Sequence, residues 1–562
     1  MKYNSSEPSG LGWALLALCF AVPWLIPVHS DPWTTLYSEV IAALAVAAFA
    51  IWAVSSGKRL ELDALSLGFV LAATIPLLQA IGGLFAFPAE APIVSVYLLG
   101  FAAAVASARL CEAKAPGRLP DALFAGLLVA ALVSTALALA QWLQLDWGPL
   151  MAPVAVGTRA MANVGQANEL STLLVWGLVG LWWAYSRRSI GGAVTLLTAT
   201  VLLVGVASTQ SRTGWLGVGL LLGIGILSPR PLETRTARAA FVALGIWFLV
   251  LVLGWSEANS VAGAGGVEAL DSRLASGRRP EIWALMIDGV SHRPWLGYGW
   301  NQGRLVQVGE LPNHAHMNLS IQHAHNLVLD LMVWNGVPLG LAFAGLLVAW
   351  FWWQLRRTVT ESQALLLLGL SVFMVHCFLE LPHCKAFFLA PAALMMGVLN
   401  ARSGLPTLLR VPRIVSVGLV SGIGAFLVMA WMDYRALELD VQSYRLRAAW
   451  LGTQSSNPPP EIHVLRALET ALLNLRIQPR AGMDTQLIEQ LRLNALRYPT
   501  EFTLRRYATA AALNGQSAAA RKAWWSRCML YSRENCDEVH LPPSESELGG
   551  TLPSQPSSSP KP

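Results

Sequence analysis

Up to about residue 432 the chain alternates apolar runs with short polar breaks, and then its period changes. Thirteen runs read as membrane helices: 11–29, 37–55, 64–86, 93–110, 121–142, 166–186, 190–208, 211–228, 239–255, 325–354, 362–381, 385–400 and 412–432. About 20 residues of helix cross a hydrocarbon core ~30 Å thick, so runs of this length and apolarity predict spans. The pattern divides the chain into a block of nine spans (1–255), a long polar loop (256–324) and four further spans (325–432). The predicted fold class is all-α, a polytopic membrane protein.

Beyond residue 432 the apolar positions recur at helical spacing on otherwise polar segments: "EIHVLRALETALLNLRIQ", "MDTQLIEQLRLNALRYP" and "EFTLRRYATAAALNGQSAAARKAWWSRCMLY". These predict amphipathic helices of a soluble domain over 433–545. The last segment is a helix, an Asn514-Gly515 turn and a second helix, in the manner of a tetratricopeptide hairpin. One hairpin is fewer than a solenoid needs, which leaves a small helical domain. The end, 546–562, contains "SQPSSSPKP" and is expected to be disordered.

Charge gives the spans an orientation. With the N-terminus inside, the inner loops carry fifteen cations: Lys58, Arg59, Arg109, Lys114, Arg118, Arg187, Arg188, Arg230, Arg235, Arg238, Arg356, Arg357, Arg402, Arg410 and Arg413. The short outer loops carry three: Arg159, Arg212 and Lys385. By the positive-inside bias the N-terminus is cytoplasmic and the 433–545 domain lies outside. No small-residue cleavage signature follows the first run, so it reads as retained.

Composition narrows the class further. At 54% hydrophobic and 13% charged, the 562-residue chain is too apolar for a soluble globule. Its net charge of +6 reflects the inner-loop cations, and no basic-aromatic module suggests nucleic acid. Of six cysteines, Cys528 and Cys536 fall in the exported domain, where an oxidising compartment permits a disulfide.

Ionisable groups at the edges of membrane spans are costly, so each is a functional candidate. They gather at the outer ends. "RAMANVGQANEL" supplies Arg159, Gln166 and Asn168; "STQSRTGW" supplies Arg212; "SGRRPEIW" supplies Arg278 and Arg279; "HAHN" supplies His323, His325 and Asn326; "HCFLELPHCKAFF" supplies Glu380, His383 and Lys385. All three cations that break the inside bias belong to this set. A single arginine at a helix end also snorkels to headgroups without further function. A cluster of arginines, however, matches the geometry of a phosphate, and the headgroup of a lipid diphosphate lies at this depth.

Four of the ten histidines lie within 314–325. His325 is expected near the first turn of a helix beginning around residue 324, where the helix dipole favours a neutral imidazole able to accept a proton. His323, two positions away, would point about 200° around that helix. H-x-H is a strand or loop spacing, and no Cys or Asp completes a familiar ligand pattern, so the reading is a metal-free site without a cofactor.

These motifs, in this order, resemble the bacterial protein O-oligosaccharyltransferases of the PglL type, within the superfamily of O-antigen ligases and polymerases. The resemblance covers roughly residues 100–562 and rests on Arg159…"GQANEL", "SRTGW", "SGRRPEIW…HRPWLGYGW", "HAHNLVLDLMVWNGVPLG", the "H-x3-E-L-P…AFFLAPAALMMG" block and "DYRALELD". It implies a GT-C-like glycosyltransferase that moves a glycan from an undecaprenyl-diphosphate carrier onto Ser or Thr of periplasmic, pilin-like proteins. The family's histidine base matches His325, or else His323. Its arginine matches Arg212 and its outer-end glutamine Gln166. Asn335 stands where an acid is usual, and Leu381 and Lys385 stand where aromatics are usual. Two other readings remain. One is the same chemistry toward lipid A-core or a growing polymer; the other is transport of a polyanion or lipid-linked sugar, which predicts charges spread through the membrane depth and a repeat.

Overall fold

In a medium without water the backbone of each apolar run must satisfy its own hydrogen bonds, and helix is the form that does so. The computed structural model describes residues 10–55, 59–155, 158–227, 235–262, 277–314, 320–448 and 459–531. Helices α1 (Gly10–Ala21), α2 (Leu36–Ser55), α3 (Ala64–Ala72), α4 (Thr74–Ile81), α5 (Ala91–Lys114) and α6 (Arg118–Trp142) open the chain. They are followed by α7 (Ala167–Ser186), α8 (Gly192–Thr209), α9 (Arg212–Leu227) and α10 (Arg235–Ala262). Among the described residues, eight helical segments are long and apolar enough to cross a membrane, and four more are apolar but shorter. Lys58, Arg230, His316, Cys536 and segment 546–562 lie outside the described residues.

α7 is the central helix: every residue from Ala167 to Trp183 is buried. Small residues let its neighbours approach. A Cβ on Gly177 would lie 2.4 Å from the Cβ of Ala131 on α6. α7 begins with Asn168 and Glu169, both buried, so its polar first turn is spent inside the protein.

Run 64–86 is formed by α3 and α4 in succession, and Ala64–Ile81 as a whole is long and apolar enough to cross. One predicted span is corrected. Run 325–354 is not one helix: it forms α13 (Leu327–Asn335) and α14 (Val337–Arg357), hinged at Gly336 with φ +79°. The break is enforced by a close approach, because a Cβ on Gly336 would sit 2.3 Å from the carbonyl oxygen of Trp295. At nine residues α13 is too short to cross a bilayer. Its start is also later than expected: Asn326 is the N-cap and His325 precedes the helix.

The described part of the long loop, 277–314 and 320–324, is folded rather than open. α11 (Arg279–His292) and α12 (Gly303–Glu310) pack with α13 around Ile282, Leu285, Met286, Val306 and Trp334. Past this layer run α15 (Glu361–Cys377), α16 (Ala386–Arg402) and α17 (Arg413–Ala448). At 36 residues α17 is about 54 Å long, well beyond a ~30 Å core, and "DYRALELD" lies in its second half.

The two ends of the bundle differ. At one end β1 (Leu60–Asp63) pairs antiparallel with β2 (Thr407–Val411), a small sheet that the apolar pattern did not predict. At the other end stands the helical domain, α18 (Arg466–Asn474), α19 (Thr485–Arg497), α20 (Glu501–Leu513) and α21 (Ser517–Tyr531). The expected turn joins α20 to α21, with Gly515 at φ +77°. Cys528 is disulfide-bonded. The domain is anchored through Glu90, just before α5, which accepts hydrogen bonds from Arg497 (2.9 and 3.0 Å), Tyr498 (3.1 Å) and Gln302 (2.8 Å). The far end of α5 meets the β-sheet, where Arg109 donates to Asp63 at 3.1 Å. The domain and the folded loop therefore share one end.

Candidate active site

The turn between α15 and α16 carries Glu380, buried at 6% exposure. Three elements converge on its carboxylate. Asn168, from the first turn of α7, donates to Oε1 at 2.7 Å. Arg279, the first residue of α11, donates to the same oxygen at 2.6 Å. His325 Nδ1 lies 2.7 Å from Oε2. Burial alone would raise this carboxyl, but the hydrogen bond from His325 and the charges of His325 and Arg279 outweigh it and hold it at about 2.

An ionised carboxylate only accepts, so the His325 Nδ1 must carry the proton that it shares with Glu380. In the neutral ring the lone pair is then on Nε2, which has no hydrogen-bond partner among the described residues. His325 has φ +53°, a left-handed conformation uncommon for a side chain of this size. It departs from the helical placement expected from sequence, and Glu380 rather than a helix dipole orients its ring. Asn326 accepts from Val328 and Leu329 N–H and donates to the Phe378 carbonyl at 3.3 Å, so its role here is to cap α13 and tie it to the Glu380 turn.

Arg212 opens α9, half-buried and without a hydrogen bond or ion pair among the described residues. Its guanidinium nitrogens come within 3.7 Å of where a Cβ on Gly277 would stand, adjacent to Arg278 and Arg279. The preceding Ser211 hydroxyl meets Ser171 at 3.0 Å, one turn below Asn168. Arg212, Arg279, Asn168, Glu380 and His325 thus form one group. Arg278 is at its exposed edge, 3.5 Å from Glu281.

The other expected residues are placed differently. Lys385 is ion-paired with buried Glu169, so its charge is compensated internally rather than offered to a substrate. His323 is buried, and burial pushes its imidazole down to about 3. It lies in a separate cluster, with Asp330 at 4.0 Å and Cys384 at 3.8 Å. Gln166 is the half-buried N-cap of α7 and makes no capping bond with its side chain. Arg159 is exposed in the connection from α6 and is not among the residues bonded to Glu380. Sequence reasoning missed Glu169 and Asp330. Both are acids inside apolar runs ("ANELSTLLVW", "NLVLDLMVW"), and the rule that singled out the arginines applies to them equally. Among the described residues no three His, Cys, Asp or Glu side chains are arranged to hold a metal ion.

Two families match the chain where these residues lie. The O-antigen ligase family matches residues 196–344, which include Arg212, Arg279 and His325. The family described as virulence factor membrane-bound polymerase, C-terminal, matches 364–541, which include Glu380 and the helical domain. The fold and these matches define a multi-pass membrane protein of the glycosyltransferase type.

The chain is similar to the O-antigen ligases and polymerases and, along most of its length, to the bacterial PglL-type O-oligosaccharyltransferases. It is 29% identical over 527 residues to the general O-oligosaccharyltransferase of Acinetobacter baylyi, covering 90% of both chains. It is 29% identical over 253 residues to the ComP-specific O-oligosaccharyltransferase of the same organism, 44% of each chain. It also matches the exopolysaccharide production protein ExoQ of Rhizobium meliloti, 26% identical over 233 residues, 39% of this chain and 50% of that protein.

Proposed function

We propose that the protein transfers a glycan from an undecaprenyl-diphosphate carrier to a Ser or Thr hydroxyl of a periplasmic, pilin-like protein. The observation that carries this reading is the His325–Glu380–Arg279 group beside Arg212, which has no partner among the described residues. In its neutral form His325 offers Nε2 as a proton acceptor, next to guanidinium groups suited to a diphosphate.

The acceptor oxygen attacks the anomeric carbon, its proton passes to His325 Nε2, and the carbon–oxygen bond to the diphosphate breaks. Glu380 keeps the ring oriented and stabilises the imidazolium that forms. The leaving diphosphate carries away the bonding electron pair. It needs neutralisation more than it needs a proton, which suits Arg212 and Arg279, with Arg278 at the rim. No step calls for a metal or cofactor. In this reading the eight long segments, the four shorter apolar ones and α7 are thirteen spans with the N-terminus inside, embedded in membrane lipid. The site and the 433–545 domain then face the periplasm.

Ligation to lipid A-core or polymerisation uses the same donor chemistry. The full-length match to a general O-oligosaccharyltransferase favours a protein acceptor. Transport is disfavoured because the cations that break the positive-inside bias gather at one end and no repeat is evident. The test is intact-mass spectrometry of an acceptor protein incubated with the purified enzyme and an undecaprenyl-diphosphate oligosaccharide. A sugar mass on the protein that disappears with His325→Ala and Arg212→Ala is expected. Full transfer by both folded variants rejects the assignment, and transfer only to lipopolysaccharide favours the ligase.

A further inference from the structure

A second carboxylate lies behind the site and touches none of the space in front of His325. Asp330, on α13, is 1% exposed. Its Oδ1 accepts the backbone N–H of Ala324 at 2.7 Å, and its Oδ2 is 3.2 Å from His383 Nε2. His383 belongs to the short turn Pro382–Cys384, two residues beyond Leu381 and on the same connection as Glu380. One buried carboxylate therefore joins three parts: the helix after His325, the peptide just before His325, and the turn that carries Glu380.

The turn it grips has reason to need gripping. His325 sits at φ +53°, and a non-glycine residue persists there only where its surroundings determine it from several sides. The Ala324 carbonyl accepts from Trp283 Nε1 at 3.0 Å, while its N–H is held by Asp330. On the other flank Asn326 caps α13. Both polar groups of Ala324 and the side chain of Asn326 are thus fixed, and His325 is the residue between them that faces outward.

Asp330 has no catalytic alternative in this geometry. Both oxygens are engaged, and the wall around it is aromatic and imidazole: the Trp334 ring lies 6.0 Å from both the His323 and His383 rings. His383 Nδ1 has no partner among the described residues, and an ionised Asp330 carboxylate, which only accepts, draws the His383 proton to Nε2.

From this arrangement we propose that Asp330, backed by His383, is a positioning residue that fixes His325 at bonding distance from Glu380. The proposal rests on His325 as the base. Displacing a catalytic group by about 1 Å costs on the order of 100-fold in rate, so loss of the Ala324 anchor should appear in kcat.

The experiment measures kcat and donor KM with an undecaprenyl-diphosphate oligosaccharide and a pilin-like acceptor protein, alongside the thermal midpoint in detergent. Asp330→Ala is expected to lower kcat about 100-fold with KM within about two-fold. Asp330→Asn retains an oxygen for the Ala324 N–H and can donate to a His383 that shifts its proton to Nδ1, so it should restore kcat to within about five-fold. Trp283→Phe frees the carbonyl of the same residue, Ala324, and should cost about ten-fold in kcat, KM again unchanged. Should Asp330→Ala fail to fold, Trp283→Phe decides alone. Unchanged kcat in Asp330→Ala or Trp283→Phe, equal loss in the Ala and Asn variants, or a loss confined to KM each overturns the proposal. His325→Ala, run in parallel, keeps the two claims apart: full activity there rejects the base assignment, whereas an inactive His325→Ala beside an unaffected Asp330→Ala rejects only the positioning role.

Discussion

Arg402 and Arg212 are the same residue type at opposite ends of the bundle, and their surroundings could hardly differ more. Arg402, at the end of α16, donates Nε to buried Glu112 at 2.8 Å and Nη1 to Ser362 at 2.9 Å. Arg109 nearby is equally occupied, by Asp63, the Leu405 carbonyl and Thr407. At the other end Arg212 has no partner among the described residues, and Arg279 shares a single carboxylate with Asn168 and His325. A cation paired with a buried carboxylate and its neighbours holds the fold. A half-buried one left open is costly to the fold and available to an anion.

The sharpest way to break this contrast is at its centre. His325→Ala should lower kcat by about 10³-fold, measured as glycan transfer in an intact-mass assay, because it removes the proton acceptor. Arg212→Ala should lower kcat by about 10²-fold with little change in thermal midpoint, since no partner among the described residues is lost. Arg402→Ala should do the reverse. It leaves Glu112 buried without its partner, at a cost of about 3 kcal/mol in stability, while the surviving protein keeps its specific activity. If Arg402→Ala lost activity at unchanged stability, the distinction between the two ends would fail.

Acid offers a milder test. The Glu380 carboxyl is held at about 2, below its unfolded value of about 4.3, so its stabilisation is fully present above about pH 4.3. That stabilisation is lost as pH falls from there through 2. The thermal midpoint of Glu380→Gln should therefore differ most from wild type above that window and approach it below. The smallest effect is expected at Lys385: Lys385→Ala with Glu169→Ala removes the compensated pair together and should change kcat by less than about five-fold. A larger loss in kcat would return Lys385 to the substrate site.

Much of the architecture was legible because the bilayer demands long apolar helices, and that demand is written locally. The runs beginning at 37, 93, 121 and 190 appear as α2, α5, α6 and α8 within a few residues. The break at Gly336 was not legible, because it depends on the Trp295 carbonyl, some 40 residues earlier in the chain. The β1–β2 pair was missed for the same reason, since Leu60 meets Val411 only after the bundle has formed. In the site, residue types were readable and partnerships were not. Lys385 looked like a free cation until Glu169 was found against it.

The sequence by itself determined that this chain is a helical membrane protein whose unusual cations and histidines gather at the ends of its spans. Hydrophobicity and charge act residue by residue, so their pattern survives without coordinates. Only the tertiary structure decided which of those groups are neutralised and which are left open. Asn168 and Glu380 are 212 positions apart, Arg279 and Glu380 101, His325 and Glu380 55. Hydrogen bonds act over about 3 Å, and only packing around α7 brings such distant positions that close.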